Sequence, residues 1–268
     1  TVKTIGRTAF FECKELVSLT LGKSVEYIGY AAFSDCAKLK SLVIPDSVTE
    51  MDTNTFSGCS SLETLVIGNG LKVITSQAFA NDRSLKSITF GNSVTTIYWC
   101  AFDSCSSLTS VTMPDSVTYI DNSVFDGCKS LTDVKISKNL KKIASSTFAG
   151  CTSLKNVQLP PELDLIASGA FSRCESLESI TLPEKTRSVG ESCFYQCTAL
   201  KSIEFPESVE YIGEDAFEYC KSLVSVTVKN PECSIGAKKT TMSNPNNVII
   251  YGIANSTAQE YAENYGYQ

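Results

Sequence analysis

Phenylalanine recurs at Phe10, Phe33, Phe56, Phe79, Phe102, Phe125, Phe148, Phe171, Phe194 and Phe217, an interval of 23 residues every time. Ten copies without an insertion or a deletion constrain the fold more than any local motif could. A fixed period of this length means that one supersecondary unit is stacked on itself. Other columns share the register. Six residues after each Phe is a leucine, from Leu16 and Leu39 to Leu200 and Leu223. Three residues after it lies a cysteine at Cys13, Cys36, Cys59, Cys105, Cys128, Cys151, Cys174, Cys197 and Cys220, and the fourth copy alone carries Asp82 instead.

Within a unit, the alternation in Leu39-x-x-Leu42-x-Ile44 puts Leu42 and Ile44 on one face of a strand, with Ser41 and Val43 on the other. Proline or glycine follows, as at Pro45, Gly68, Pro114 and Pro206, which ends the ladder and turns the chain. Ala32-Phe33-x-x-Cys36 carries apolar residues three and four apart, a spacing that predicts a single helical or 3₁₀ turn. One such unit cannot bury its apolar edge alone, but stacked units bury it against each other. Strands about 4.8 Å apart then form a parallel sheet of ten strands along one side, with Phe, Leu and Cys filling the interior.

The pattern L-x-x-[LIV]-x-[LIF]-P-x-S-V-x-x-I-G-x-x-A-F-x-x-C resembles the Treponema-type, BspA-like class of leucine-rich repeats. It is carried by Pro45-Asp46-Ser47-Val48, by Ile28-Gly29-x-x-Ala32-Phe33-x-x-Cys36 and by Ile212-Gly213-x-x-Ala216-Phe217-x-x-Cys220. The resemblance implies an α/β repeat solenoid, a right-handed superhelix of ten 23-residue coils. Its parallel sheet would lie on the concave side, with short strands and 3₁₀ or helical turns on the convex side. It divides the chain into a leucine-rich-repeat solenoid over 1–229 and a C-terminal capping segment over 230–268. In that segment Val248–Gly252 reads as a strand, and Ser256 with Gln259 as the capping box that opens a short helix. The stretch 230–247, with Pro231, Asn244, Pro245, Asn246 and Asn247, reads as an irregular connection.

Composition narrows the function. The chain has no histidine, which removes the commonest general base, the usual partner of a Ser or Cys nucleophile and the commonest zinc ligand. Net charge is −6, and the four arginines, Arg7, Arg83, Arg173 and Arg187, lie far apart. Nucleic acid is therefore not an expected partner, because a phosphate-binding surface needs clustered cations. No stretch approaches the ~18 continuous apolar residues of a membrane span. No basic region followed by an apolar one opens the chain, and since Thr1 falls inside a repeat, an export signal is expected to lie upstream of it. No phosphate loop, nucleophile elbow or EF-hand loop is present. No cofactor, metal or enzymatic activity is expected.

Three groups of residues are candidates. The first is the cysteine ladder, Cys36, Cys59, Cys105, Cys128, Cys151, Cys174 and Cys197 in its interior. Equivalent positions on stacked coils point their Cβ atoms in parallel rather than at each other, which suits buried thiols better than disulfides. The second is the outward strand face, rich in Ser and Thr, where Asp133, Lys135, Asn156 and Gln158 form the least uniform part. The third is the break in the pattern, where Asp82 replaces a cysteine beside Arg83, and Tyr98-Trp99-Cys100-Ala101 replaces Gly-x-x-Ala with the chain's single tryptophan. An exposed Trp anchors partners. The alternative is local repacking, with Asp82 bonded to turn amides and Tyr98 covering the gap. The resemblance implies a cell-surface or secreted binding and adhesion module for host or neighbouring-cell proteins or glycans. The second functional class is a structural spacer whose recognition is carried by other segments.

Overall fold

A computed structural model describes residues 2–243 and 247–268; Asn244, Pro245 and Asn246 of the expected connection lie outside the described residues. The chain winds as a parallel-strand solenoid of about eleven turns, and each turn presents three faces. Coils are numbered here by their phenylalanines, with Phe10 in coil one. The first face carries the longer strands, such as Ser41–Ile44, Thr64–Ile67, Asp133–Lys135 and Ser202–Phe205. The second carries two-residue strands, from Thr4–Ile5 and Tyr27–Ile28 to Ser234–Ile235, eleven in all among the described residues. The third is the turn face, built around the phenylalanines.

Every repeat-to-repeat pairing on the strand faces keeps the 23-residue register. Ser41, Leu42, Val43 and Ile44 pair with Thr64, Leu65, Val66 and Ile67, and Tyr211 pairs with Ser234. Alternation does the rest: Leu42 and Ile44 are buried while Ser41 and Val43 face out. Prolines close this face as expected, the carbonyls of Pro45, Pro114 and Pro206 each accepting the backbone N–H three residues on. The sheet is not one run of ten strands, however. It is three runs of three, separated between Thr89 and Ser110 and again at residues 179–182, which form no strand.

The turn face departs from the expected helical or 3₁₀ turn. The residues two before and two after each phenylalanine have positive φ, as in Ala31 (48°) and Asp35 (59°) around Phe33, or Cys100 (54°) and Ser104 (59°) around Phe102. A left-handed residue on either side of Phe cannot belong to a right-handed helical turn. It turns the peptide planes so that alternate amides donate forward to the following coil. Ala31, Phe33 and Asp35 donate to the carbonyls of Thr53, Thr55 and Ser57 at 3.1, 2.8 and 2.8 Å. On the long-strand face amides donate both ways, Glu63 N–H backward to Lys40 O at 2.8 Å and Met113 N–H forward to Lys135 O at 2.9 Å. The coils are therefore bonded in both directions, and almost every turn-face amide is satisfied without a helix.

Inside, the phenylalanines stack as a continuous ladder with ring centroids 5.0–5.8 Å apart and planes within 15°, within the usual spacing of aromatic pairs. From Phe33 to Phe217 each ring is fully buried. At the C-terminal end, strand Ile249–Tyr251 adds to Ser225–Val228, and the helix Thr257–Tyr265 packs behind it. Ser256 caps the helix by accepting from Gln259 N–H, and the Gln259 carboxamide oxygen accepts in turn from Asn255 N–H at 2.7 Å. The helix binds the last coil through tyrosine hydroxyls, Tyr261 to Lys238 O at 2.6 Å and Tyr265 to Ala237 O at 2.8 Å. No helix of the described residues is long and apolar enough to cross a membrane.

Candidate functional site

The cysteine column is interior from Cys36 to Cys220. Each thiol from Cys36 to Cys220 donates to the carbonyl oxygen of the phenylalanine one coil back, as Cys128 to Phe102 O at 3.4 Å and Cys220 to Phe194 O at 3.0 Å. All twelve cysteines are unbridged, and Cys13 alone is exposed. Burial pushes the thiols up, Cys36 and Cys100 to about 11 and Cys220 to about 12. A nucleophilic cysteine needs the opposite shift.

Asp82 interrupts this column. Its side chain is fully buried, and neither carboxylate oxygen has a hydrogen-bond partner. The neighbouring amides are engaged elsewhere, Asn81 N–H with Asp103 O of the next coil at 2.8 Å and Arg83 N–H with Asn81 O of its own turn at 2.9 Å. Desolvation, reinforced by Asp35, holds the Asp82 carboxyl well above the usual carboxylate range. Arg83 lies apart from the aromatic break, exposed in a cavity of about 530 Å³ with Glu12, Lys14, Asp35 and Asn81.

Tyr98 is only partly covered. It occupies the column that holds Gly29, Gly190 and Gly213 in other coils, where the backbones run close; a Cβ on Gly213 would lie 2.3 Å from Glu191 N. A ring at that position has to swing outward. Tyr98 is 41% exposed, Trp99 46% and Tyr119 of the next coil 49%. Tyr98 and Tyr119 pack edge to face with centroids 6.1 Å apart. Tyr98 and Tyr119 thus form an exposed aromatic pair on the short-strand side, with the exposed Trp99 next to Tyr98 in the chain.

The four strand-face candidates also come together. Asp133 pairs directly with Asn156 and Lys135 with Gln158, so they make a two-by-two polar block on outward positions, all exposed. Around it the face is hydroxyl-bearing and of low charge. The aromatic patch, the polar block and Arg83 lie on three different parts of the coil rather than in one site.

A fourth feature has no counterpart among the sequence candidates. On the turn face of coils six to nine, Asp126, Gly150, Arg173 and Tyr195 border a groove of about 380 Å³. Desolvation and the neighbouring Asp103 carboxylate raise Asp126 to about 6. The signal available in the sequence was the run of small residues two before or two after Phe, at Gly127, Ser146, Gly150 and Gly169.

A family model described as BspA type Leucine rich repeat region matches the chain in six copies, over residues 3–132 and 118–239. No curated protein matches. Among solved structures, a leucine-rich repeat protein from Bacteroides ovatus is similar at 26% identity and a TM-score of 0.69, over 90% of this chain and 72% of that one. A leucine-rich repeat protein from Eubacterium ventriosum shares the fold at 21% identity and a TM-score of 0.58, over 82% of this chain and 80% of that one.

Proposed function

The chain belongs to the BspA-type leucine-rich repeat family, and from that premise we propose that it is a cell-surface or secreted recognition module for host or neighbouring-cell proteins or glycans. Repeats of this family form interaction scaffolds, and a solenoid offers long, rigid faces for that purpose. The observation that carries the reading is the patch of Tyr98, Trp99 and Tyr119, each more than 40% exposed on adjacent coils. Tryptophan and tyrosine dominate binding hot spots because they bury large area with few rotatable bonds. Phe11 and Tyr219 are exposed as well, but Tyr98 and Trp99 replace the Gly-x-x-Ala of other coils, so this cluster departs from the repeat rather than following it. The polar block of Asp133, Lys135, Asn156 and Gln158 offers a second contact region on the long-strand face.

The test is surface plasmon resonance of the purified chain over immobilised extracellular-matrix proteins and a glycan panel. The expected result is a saturable response that Trp99→Ala weakens about thirtyfold or more, the loss typical of a hot-spot residue. Silence across the panel, from protein with an intact thermal transition, would favour the spacer reading instead.

A further inference from the structure

We propose that the turn-face groove of coils six to nine binds a saccharide of one or two rings. The proposal is independent of the aromatic patch, which lies on the short-strand side. Its floor is bare backbone: Gly150 and Gly169 both stand at left-handed positions, with φ of 67° and 64°. A Cβ on Gly150 would sit in ordinary van der Waals contact with the backbone of Gly127 at 3.5 Å and the carboxylate of Asp126 at 3.8 Å, so a larger residue is accommodated there only by extending over the groove. A cavity of about 380 Å³ lies at the lower end of small-molecule sites. Four coils at about 4.8 Å each leave room for a short ligand, not a long polymer.

The groups around that floor are free to bind. The hydroxyls of Ser146, Ser172 and Ser192 line the groove, and none is engaged across coils in the way Ser57 Oγ bonds Ala80 O at 3.1 Å. Some charged residues are paired from coil to coil, as in Lys86–Glu63 at 2.7 Å and Arg187–Asp164 at 2.6 Å. Among the described residues neither Asp126 nor Arg173 enters any of the eleven ion pairs. One acceptor and one five-donor guanidinium therefore stand across the groove without partners.

The chemistry of the lining selects the ligand class. Carboxylate and guanidinium cancel in charge, which argues against an ionic ligand and for a neutral one. Vicinal hydroxyls are both donors and acceptors, and match Asp126, Arg173 and the three serines together. Tyr195 closes one end, its ring held edge-on by Tyr219 at 5.4 Å and 89°. An aromatic ring offers a surface to the C–H face of a sugar. A peptide would need backbone pairing, but the turn-face amides already donate forward, as Arg173 N–H does to Tyr195 O at 2.6 Å.

The experiment is saturation-transfer-difference NMR of the full chain. The probes are the methyl glycosides of glucose, galactose, mannose and N-acetylglucosamine, together with lactose, cellobiose and chitobiose. At least one should receive transfer and titrate at millimolar or tighter affinity. Gly150→Asn fills the groove with a residue that accepts the left-handed conformation, and should abolish the transfer. Arg173→Gly, which also suits its φ of 60°, should weaken binding about tenfold. Trp99→Ala should leave transfer unchanged, so failure here and failure of the aromatic-patch reading are separate results. No transfer to any probe overturns the proposal, as does transfer that survives Gly150→Asn in a protein with unaltered circular dichroism. Should Gly150→Asn not fold, Arg173→Gly decides: undiminished binding refutes the groove.

Discussion

Replacing Asp82 by cysteine should stabilise the protein, and by an amount that depends on pH. In the unfolded chain this carboxyl titrates near 3.9. In the folded chain it is fully buried without a partner for either oxygen, and ionising it there would cost several kcal/mol. The folded state therefore keeps the proton. Holding it at pH 7 against an ordinary pKa of about 3.9 costs about 1.4 kcal/mol per pH unit, or about 4 kcal/mol in total. The sign follows from proton counting. The folded pKa is raised, so the folded state binds more protons than the unfolded one at neutral pH. Stability is full below about pH 4 and falls as pH rises, until the buried carboxyl itself titrates. Cysteine removes this term and restores the S–H···O bond to Phe56 O that its column position supplies in other coils, as between Cys105 and Phe79 O at 3.3 Å.

The assay is urea unfolding in reducing buffer at pH 4.5, 6 and 7.5, followed by the fluorescence of Trp99 in the adjoining coil. The gap between Asp82→Cys and the parent should be about 1 kcal/mol at pH 4.5 and widen to about 4 kcal/mol near neutrality. At pH 7 that corresponds to roughly 10 °C in the thermal midpoint if the array unfolds as a unit. Other titrating groups that face this carboxyl, Asp35, Cys59 and Cys105, are common to both proteins and cancel in the difference to first order. Asp82→Asn separates charge from shape, since it should recover most of the gain with no pH dependence. A gap that is constant from pH 4.5 to 7.5, or a variant less stable than the parent at neutrality, would refute the reasoning.

Two further outcomes follow from the coil geometry. Thiol titration with a disulfide reagent should count one fast cysteine in the native protein, the exposed Cys13, and all twelve in denaturant; rapid modification of the inner ladder would contradict the continuous packing around it. Ser123→Gly, at a φ of 57° on the turn face, should raise stability by about 0.5–1 kcal/mol, the left-handed penalty less the entropy of glycine, and a loss in urea midpoint would count against it.

The coil was legible because its determinants repeat. Phe, Leu and the alternating strand residues each act through the same contact in every turn, so ten weak local signals add to one strong one. The turn face was misread for a related reason. Ala31, Gln77, Cys100 and Arg173 carry no sequence preference for positive φ, and apolar residues three and four apart look helical. Forward hydrogen bonds to the next coil impose the left-handed conformation there, and a tertiary cause of that kind leaves no local trace. The interruption at 179–182 is similar: Ser179-Ile180-Thr181-Leu182 alternates as well as Thr64-Leu65-Val66-Ile67 does, yet only the latter is a strand.

The candidate sites divide along the same line. Tyr98 and Trp99 were visible because they break the repeat within one coil, and the Asp133–Gln158 block because adjacent copies differ from the rest. Asp82 was visible too, but its missing partners were not, since turn amides that look available in sequence are consumed by bonds within and between coils. The groove of Asp126, Gly150, Arg173 and Tyr195 breaks nothing in any single unit. Each residue is ordinary for its own coil, and the concavity exists only once four coils are laid in register. In a solenoid the unit of recognition is therefore the column rather than the motif. The columns two before and two after Phe, which tolerate glycine and stand at positive φ, are where shape can vary at the modest cost of a left-handed residue. A small-residue run in those columns flanked by bulky, unpaired polar residues is the pattern that marks a cavity before any coordinates exist.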